Sequence, residues 1–168
     1  MKAQNAVVTF KKADEEVGGF SNMSGDFPIL VNGIRVRTVE HLYQSLKFTN
    51  DPDVQKQILN EASPMKAKWI ANTKNHKKKN KKGNIKKVRQ DWKEIQVEVM
   101  EFCLGLKLIH HWVKFGKLLR STEGKEIFEI EAREVKSPFW GVVPDGDGFR
   151  GENRLGKLLM KLRDELID

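Results

Sequence analysis

The sequence predicts an α+β fold, a mostly helical single domain with a small antiparallel β-sheet. Two observations support this class. Apolar residues recur at helical spacing over most of the chain, and the few strand-like runs lack the β-α-β alternation of a parallel sheet. The length of 168 residues fits one domain, which we expect to span residues 1–168.

Turn and cap residues define the elements of the first half. Asn32-Gly33 is the two-residue turn typical of a β-hairpin. Thr38 and Ser63 are N-cap residues, and Ser63 is followed by a first-turn proline. The predicted elements are a strand at 6–10, a Gly-rich turn at 18–25, a hairpin of 27–31 and 34–38, and helices at 38–48, 52–59 and 63–71.

Helical periodicity dominates the second half. Apolar residues from Trp92 to Ile109 predict a long core helix, and residues 112–120 predict another. Phe128, Ile130 and Ala132 alternate with Glu129 and Glu131, which indicates a half-exposed strand at 128–132. The remaining elements are a loop rich in Pro, Gly and Asp at 137–151 and an amphipathic helix at 153–166.

Positive charge is concentrated in one interval. The net charge is +8, yet no acidic residue occurs between Glu61 and Asp91, where eleven of the 31 basic residues lie. The rest of the chain holds 20 basic and 23 acidic residues. We expect residues 72–87 to be a mobile loop that attracts nucleic acid or a small phosphorylated ligand. A lysine-rich surface loop without function is the alternative. The predicted nucleic-acid contacts are Lys77, Lys78, Lys79, Lys81 and Lys82.

Composition argues against several other classes. No apolar run approaches the ~20 residues of a membrane helix, and no signal peptide is recognisable, so we expect a cytoplasmic protein without membrane contact. Cys103 is the single cysteine and fits a buried thiol. Four histidines and one cysteine without ligand spacing predict no metal site, and we expect no cofactor.

One short helix carries an acid and an amine on the same face. Because seven residues span two helical turns, Glu40, Gln44 and Lys47 form a polar stripe. Such a pair on a pocket wall suits proton transfer and covalent chemistry on a sugar carbon. A solvated ion pair of little energetic value is the alternative.

A second group of unusual residues lies in the loop before the last helix. Trp140 stands beside a glycine and can stack on a base or ribose. Asn153 and Arg154 open the last helix, whose N-terminus favours a phosphate. A structural loop anchored by a buried tryptophan explains the same residues without a ligand.

Several blocks resemble, in order, the motifs of the NADAR family, also called the YbiA-like superfamily. They are Phe20-Ser21-Asn22, Thr38-Val39-Glu40-His41-Leu42-Tyr43-Gln44-Ser45-Leu46-Lys47-Phe48, Ser63-Pro64-Met65-Lys66-Ala67, Arg89-Gln90-Asp91-Trp92, Phe139-Trp140-Gly141 and Gly151-Glu152-Asn153-Arg154-Leu155-Gly156-Lys157-Leu158-Leu159-Met160. The resemblance implies a YbiA-like fold and N-glycosidase activity. Some members remove ADP-ribose from guanine in nucleic acid, and others hydrolyse ribosylamines of the riboflavin pathway.

The resemblance also implies roles for individual residues. Glu40 matches the motif glutamate, and Lys47 matches the lysine that attacks the sugar carbon. Asp145 matches the family aspartate that follows the Trp-Gly motif. Because Val142-Val143-Pro144 lies between that motif and Asp145, Asp147 is the alternative for this position. We therefore expect Glu40, Lys47 and Asp145 to be catalytic. The expected substrate-binding residues are Asn22, Trp92, Trp140, Asn153 and Arg154.

Three functions are compatible with this sequence. The first is removal of ADP-ribose from ADP-ribosylated guanine, with modified DNA as the partner, which the basic interval favours. The second is hydrolysis of phosphorylated ribosylamine intermediates of riboflavin biosynthesis. The third is non-catalytic binding of NAD or ADP-ribose, which needs neither Glu40 nor Lys47. The sequence does not predict the oligomeric state.

Overall fold

The computed structural model describes residues 6–72, 87–133 and 135–167, which divide into two compact units. The first unit draws on Met1–Ser24 and His111–Asp168, and the second comprises Gly25–His110. Six α-helices and three two-stranded sheets occur among the described residues, which confirms the predicted α+β class. No described helix combines the length and apolar character needed to cross a membrane.

The second unit begins with the predicted hairpin. Asn32 and Gly33 have φ values of 50° and 77°, as a two-residue type I′ turn requires. Its elements are β2 (Ile29–Val31), β3 (Ile34–Val36), α1 (Val39–Ser45), α2 (Pro52–Asn60), α3 (Pro64–Ala71) and α4 (Trp92–His110).

Local capping and a small apolar core hold these helices. Thr38 caps α1 by accepting from the His41 N–H, and Ser63 caps α3 by accepting from the Lys66 N–H. The buried core behind α1 consists of Phe48, Val54, Ile58, Ala67, Ile70 and Ala71. The predicted helix at 38–48 is shorter than expected, because α1 ends at Ser45 and a 3₁₀ turn over Leu46–Phe48 follows.

The first unit contains a strand pair that the sequence did not predict. Strand β1 (Val7–Phe10) pairs in parallel with β4 (Glu126–Glu129). Parallel strands need a long connection, which the intervening chain supplies. The other elements are α5 (Trp112–Arg120), β5 (Val143–Asp145), β6 (Gly148–Arg150) and α6 (Arg154–Asp164).

Two secondary-structure predictions in this unit were wrong. Strand β4 lies at 126–129 instead of 128–132, so that Ile127 is fully buried and Phe128 packs on Phe149. The predicted loop at 137–151 contains the antiparallel hairpin β5–β6. Gly146 (φ 56°) occupies the first turn position and allows a tight reversal typical of type II′ turns.

Helix α6 packs on β4 through Gly156. A Cβ atom at this position would overlap the Ile127 carbonyl oxygen and the Asn153 side chain. We therefore expect Gly156→Ala to lower the free energy of unfolding by about 1–3 kcal/mol, since overpacking moves backbone. Thermal unfolding measures this change. Gly105→Ala in α4 is the matched control, because no atom lies within 4 Å of the added Cβ. Equal stability of the two variants would contradict the prediction.

Candidate active site

Helix α1 is anchored by a buried histidine. His41 places Nδ1 2.8 Å from Thr38 Oγ1 and Nε2 3.0 Å from the Glu61 carbonyl oxygen. Burial lowers the pKa of His41, which favours the neutral ring. The two contacts connect the start of α1 to the α2–α3 connection, and so fix the helix that carries the polar stripe.

The stripe is buried. Glu40 is 5% exposed and Gln44 is 3% exposed. Gln44 Nε2 donates a 2.7 Å hydrogen bond to Glu40 Oε1, as their one-turn spacing predicts. Gln44 Oε1 has no hydrogen-bond partner among the described residues. The alternative interpretation of Glu40 as part of a solvated surface ion pair is therefore wrong.

Lys47 lies in the 3₁₀ turn after α1, beside two aromatic rings. Its Nζ atom is 6.0 Å from the Tyr43 ring centroid and 5.6 Å from that of Trp92. The two rings pack at 5.1 Å between centroids. A protonated amine gains modest stabilisation from both ring faces.

The pKa of Lys47 is lowered to about 8. Burial is the main cause, because it penalises the charged amine, and the positive charge of Lys68 adds to it. The negative charge of Glu40 opposes both effects. A substantial fraction of the amine is therefore neutral near pH 8, which nucleophilic attack requires.

A pocket of about 680 Å³ opens beside Lys47. Gln44, Lys47 and Trp92 form one part of its wall, and Lys68, Arg89 and Lys93 form another. The backbone N–H of Arg89 donates to the Lys47 carbonyl at 2.9 Å, so the chain before α4 is tied to the turn that carries the amine. The wall combines a buried polar face with several cations and one acid, Glu94, and Arg89 is paired with Asp91 at 2.7 Å. The remaining net charge is positive, which suits an anionic ligand.

Described residues on each side of the lysine-rich segment 73–86 line the pocket. Asn72 and Val88 line it, one at the end of α3 and the other before α4. The predicted contacts Lys77, Lys78, Lys79, Lys81 and Lys82 lie outside the described residues. Their role stays a prediction.

Five predicted site residues belong to the first unit. Asn22 is buried and Trp140 is partly buried, with the Trp140 ring edge-on to Phe139 at 5.1 Å. Asp145 ends β5 with its carboxylate 3.6 Å from Arg150, and Asp147 is exposed in the following turn. Both aspartates are on the surface of their unit, so the alternative between them stays open.

Asn153 and Arg154 have partners within the first unit. Asn153 is buried, donates from Nδ2 to the Ile127 carbonyl at 2.8 Å, and accepts at Oδ1 from the Glu129 N–H at 3.4 Å. These bonds indicate a structural role for Asn153 in holding α6 on β4. Arg154 pairs with Glu152 at 2.8 Å and lies over the Phe139 ring. Its phosphate-binding role stays a prediction.

Sequence reasoning missed two contributors to the lysine environment. The Tyr43 ring flanks Lys47, and its position four residues before Lys47 is the signal in the sequence that indicates this contact. Lys68 was counted only as part of the basic interval. Its effect on the pKa of Lys47 comes from packing of α3 beside α1, which no local pattern reports.

Comparisons with known proteins identify the family of the chain. The NADAR domain matches residues 9–167. The chain is 30% identical over 163 residues to N-glycosidase YbiA of Escherichia coli (strain K12), covering 97% of this chain and 90% of that protein. It is also 30% identical over 176 residues to the chloroplastic riboflavin biosynthesis protein PYRR of Zea mays, covering 96% of this chain and 25% of that protein.

The fold has a solved relative as well. The NMR structure of the E. coli protein YbiA matches with a TM-score of 0.73 and 29% identity, covering 98% of this chain and 87% of that one. The chain therefore has a YbiA-like fold and is an N-glycosidase, a hydrolase acting on N-glycosyl bonds. With a domain match over nearly its whole length, it belongs to the NADAR family.

Proposed function

We propose that this N-glycosidase removes ADP-ribose from ADP-ribosylated guanine in nucleic acid. The observation that carries the proposal is the composition of the pocket wall. A lysine with a lowered pKa lies within the field of a buried glutamate, and two of the surrounding cations, Lys68 and Arg89, come from the most basic interval of the chain. Phosphates of ADP-ribose and of the nucleic-acid backbone are the groups that such cations attract.

Bond cleavage would begin at the anomeric carbon of the ribose. The leaving nitrogen keeps the electron pair of the C–N bond and takes a proton from water, while positive charge develops on C1 and the ring oxygen. Glu40 would stabilise that charge, because the electrostatic attraction of a carboxylate is stronger in a buried site than in water. Burial of Glu40 at 5% exposure supports this role.

Lys47 would then trap the sugar. Its neutral amine adds to C1 and loses a proton to Glu40, after which the bond between C1 and the ring oxygen breaks and the oxygen takes up a proton. The product is a Schiff base between Lys47 and the open sugar. Water adds to the imine carbon and expels the amine, which releases ADP-ribose and regenerates the enzyme.

Aromatic and polar groups complete the proposed site. Trp92 lines the pocket and would stack on the departing base, although its ring also packs on Tyr43. Trp140, Asn22 and Arg154 are proposed substrate-binding residues, and Asp145 is a proposed catalytic residue. These assignments rest on the family resemblance.

A second candidate is hydrolysis of phosphorylated ribosylamines of riboflavin biosynthesis. Similarity to the riboflavin biosynthesis proteins of Zea mays and Vibrio vulnificus favours it, the latter at 29% identity over 161 residues. A cationic pocket wall would accept the 5-phosphate of such a substrate equally well. The length and charge of the basic interval favour the first candidate, because a small substrate does not need them.

Release assays distinguish the two candidates. We expect wild-type protein to release ADP-ribose from an oligonucleotide carrying ADP-ribosylated guanine, and to hydrolyse a ribosylamine 5-phosphate more slowly. Chromatography of the released sugar measures both rates. Absence of release from the oligonucleotide by folded protein, with turnover of the ribosylamine, would establish the second candidate instead.

Neutralising the lysine cluster sharpens this test. Replacement of Lys77, Lys78, Lys79, Lys81 and Lys82 by glutamine should weaken processing of the oligonucleotide and flatten its salt dependence, because fewer counterions are released on binding. Turnover of the small substrate should stay within twofold. Equal effects on both substrates would argue against nucleic-acid contact by this cluster.

A further inference from the structure

The amide of Gln44 is only half satisfied. Its nitrogen donates to Glu40. Its oxygen has no partner among the described residues, although the residue is only 3% exposed. Leaving a buried acceptor unpaired destabilises the folded protein. Gln44 also lines the pocket. An unpaired acceptor on a side chain that lines a pocket is available for a hydrogen bond to a bound ligand.

The orientation of this amide is determined by its neighbour. A carboxylate oxygen accepts hydrogen bonds, so that the Gln44 nitrogen must face Glu40 Oε1 at 2.7 Å. The opposite rotamer would place two acceptor oxygens in contact. Gln44 Oε1 is therefore held as an acceptor, and the group that it can bind is an O–H or N–H donor.

The chemistry of ribose identifies the donor. If Glu40 faces the anomeric carbon, as in the proposed function, Gln44 reaches the atoms attached to that carbon. The ring oxygen only accepts, and the N–H of the glycosidic nitrogen departs with the leaving group. The 2-hydroxyl on C2 is the donor that stays on the sugar throughout cleavage. A hydrogen bond to the 2-hydroxyl also strengthens as the sugar approaches an oxocarbenium ion.

We propose that Gln44 is a specificity-determining residue, whose Oε1 accepts a hydrogen bond from the 2-hydroxyl of the ribose that loses its base. Its Nε2 at the same time positions the Glu40 carboxylate. This inference rests on the proposed function only in placing the ribose carbon at Glu40. It applies equally to ADP-ribose and to a ribosylamine phosphate, which share a ribose 5-phosphate group.

Binding of two sugar phosphates tests the proposal. We expect wild-type protein to bind ribose 5-phosphate about three- to tenfold more tightly than 2-deoxyribose 5-phosphate, the range of one neutral hydrogen bond. Gln44→Met should bind the two sugars equally, because it removes the acceptor while keeping a similar volume. Titration followed by NMR measures both dissociation constants.

Two further variants separate recognition from folding. Gln44→Glu keeps an acceptor oxygen, so we expect it to retain the preference for ribose while losing turnover through repulsion between adjacent carboxylates. Gln57→Met in α2 is the matched control and should behave as wild type, since Gln57 does not line the pocket. Thermal unfolding of each variant reports on folding.

The outcomes distinguish this inference from the proposed function. Equal binding of both sugars by wild type, or a ribose preference that survives in Gln44→Met, overturns the role of Gln44. Loss of the preference in Gln44→Met alone supports it. Release of ADP-ribose from the modified oligonucleotide is measured separately, so failure of that assay with an intact ribose preference would overturn only the nucleic-acid substrate.

Discussion

Lys47→Met is expected to abolish covalent catalysis, with a fall in kcat/KM of about 10²–10⁴-fold, the usual contribution of a positioned reactive group. The side chain keeps its length between the Tyr43 and Trp92 rings but loses the amine. Treatment of wild type with borohydride during turnover should trap a sugar adduct on Lys47, detected by mass spectrometry, and the variant should form none.

The pH dependence of wild-type turnover follows from the same amine. Because the pKa of Lys47 is lowered from 10.5 to about 8, the amine is mostly protonated below that pH, and the active neutral fraction falls as the pH falls. The rate should rise tenfold per pH unit below pH 7 and level off above pH 8. A lysine with an ordinary pKa would continue to gain activity beyond pH 10. Lys68→Met should move the rise to higher pH, since Lys68 helps to lower the pKa.

Lys56→Met is the matched control for Lys47. Lys56 is exposed on α2 and does not line the pocket, so its loss should leave the rate, the adduct and the pH profile unchanged. Turnover by Lys47→Met at the wild-type rate would exclude covalent catalysis through this lysine and leave Glu40 to act alone.

Glu40→Gln is expected to lower kcat by about 10²–10³-fold without unfolding the protein, which is the scale of losing one electrostatic contact with the transition state. Glutamine matches the shape of Glu40 and its amide oxygen still accepts from Gln44. The negative charge that would stabilise the developing cation is lost. Steady-state kinetics measures kcat, and circular dichroism confirms the fold.

The same variant has a second, opposite signature. Since the charge of Glu40 raises the pKa of Lys47, Glu40→Gln should lower that pKa below about 8, whereas Lys68→Met raises it. NMR titration of the Lys47 side chain measures both shifts. Glu98→Gln on the exposed surface of α4 is the control and should change neither kcat nor the pKa. A Glu40→Gln variant with the wild-type kcat would remove Glu40 from the mechanism.

Local signals in the sequence were sufficient for most elements and for the centre of the site. Asn32-Gly33 determines its hairpin because only a few residues accept positive φ at both turn positions. Thr38 and Ser63 determine where α1 and α3 begin. The spacing of Glu40 and Gln44 places their side chains in contact, since one helical turn separates them.

Pairing over long sequence distances was beyond such signals. The parallel pair of β1 and β4 joins segments more than a hundred residues apart, and neither strand reports its partner. The hairpin β5–β6 was hidden in a run of turn-forming residues. The sequence likewise indicates only that Asn153 begins a helix. In the structure its side-chain amide is hydrogen-bonded to the backbone of β4.

By itself the sequence determined the α+β class, the family and the acid–amine pair of Glu40 and Lys47, because residue type and spacing record them. Only the tertiary structure decided how deeply lysine and glutamate side chains are buried and which pKa values are shifted. Burial lowers the pKa of Lys47 to about 8, and that of Lys107 to about 7 where its amine lies 4.6 Å from the Phe27 ring centroid. The physical reason is that desolvation and electric fields arise from segments packed together in space.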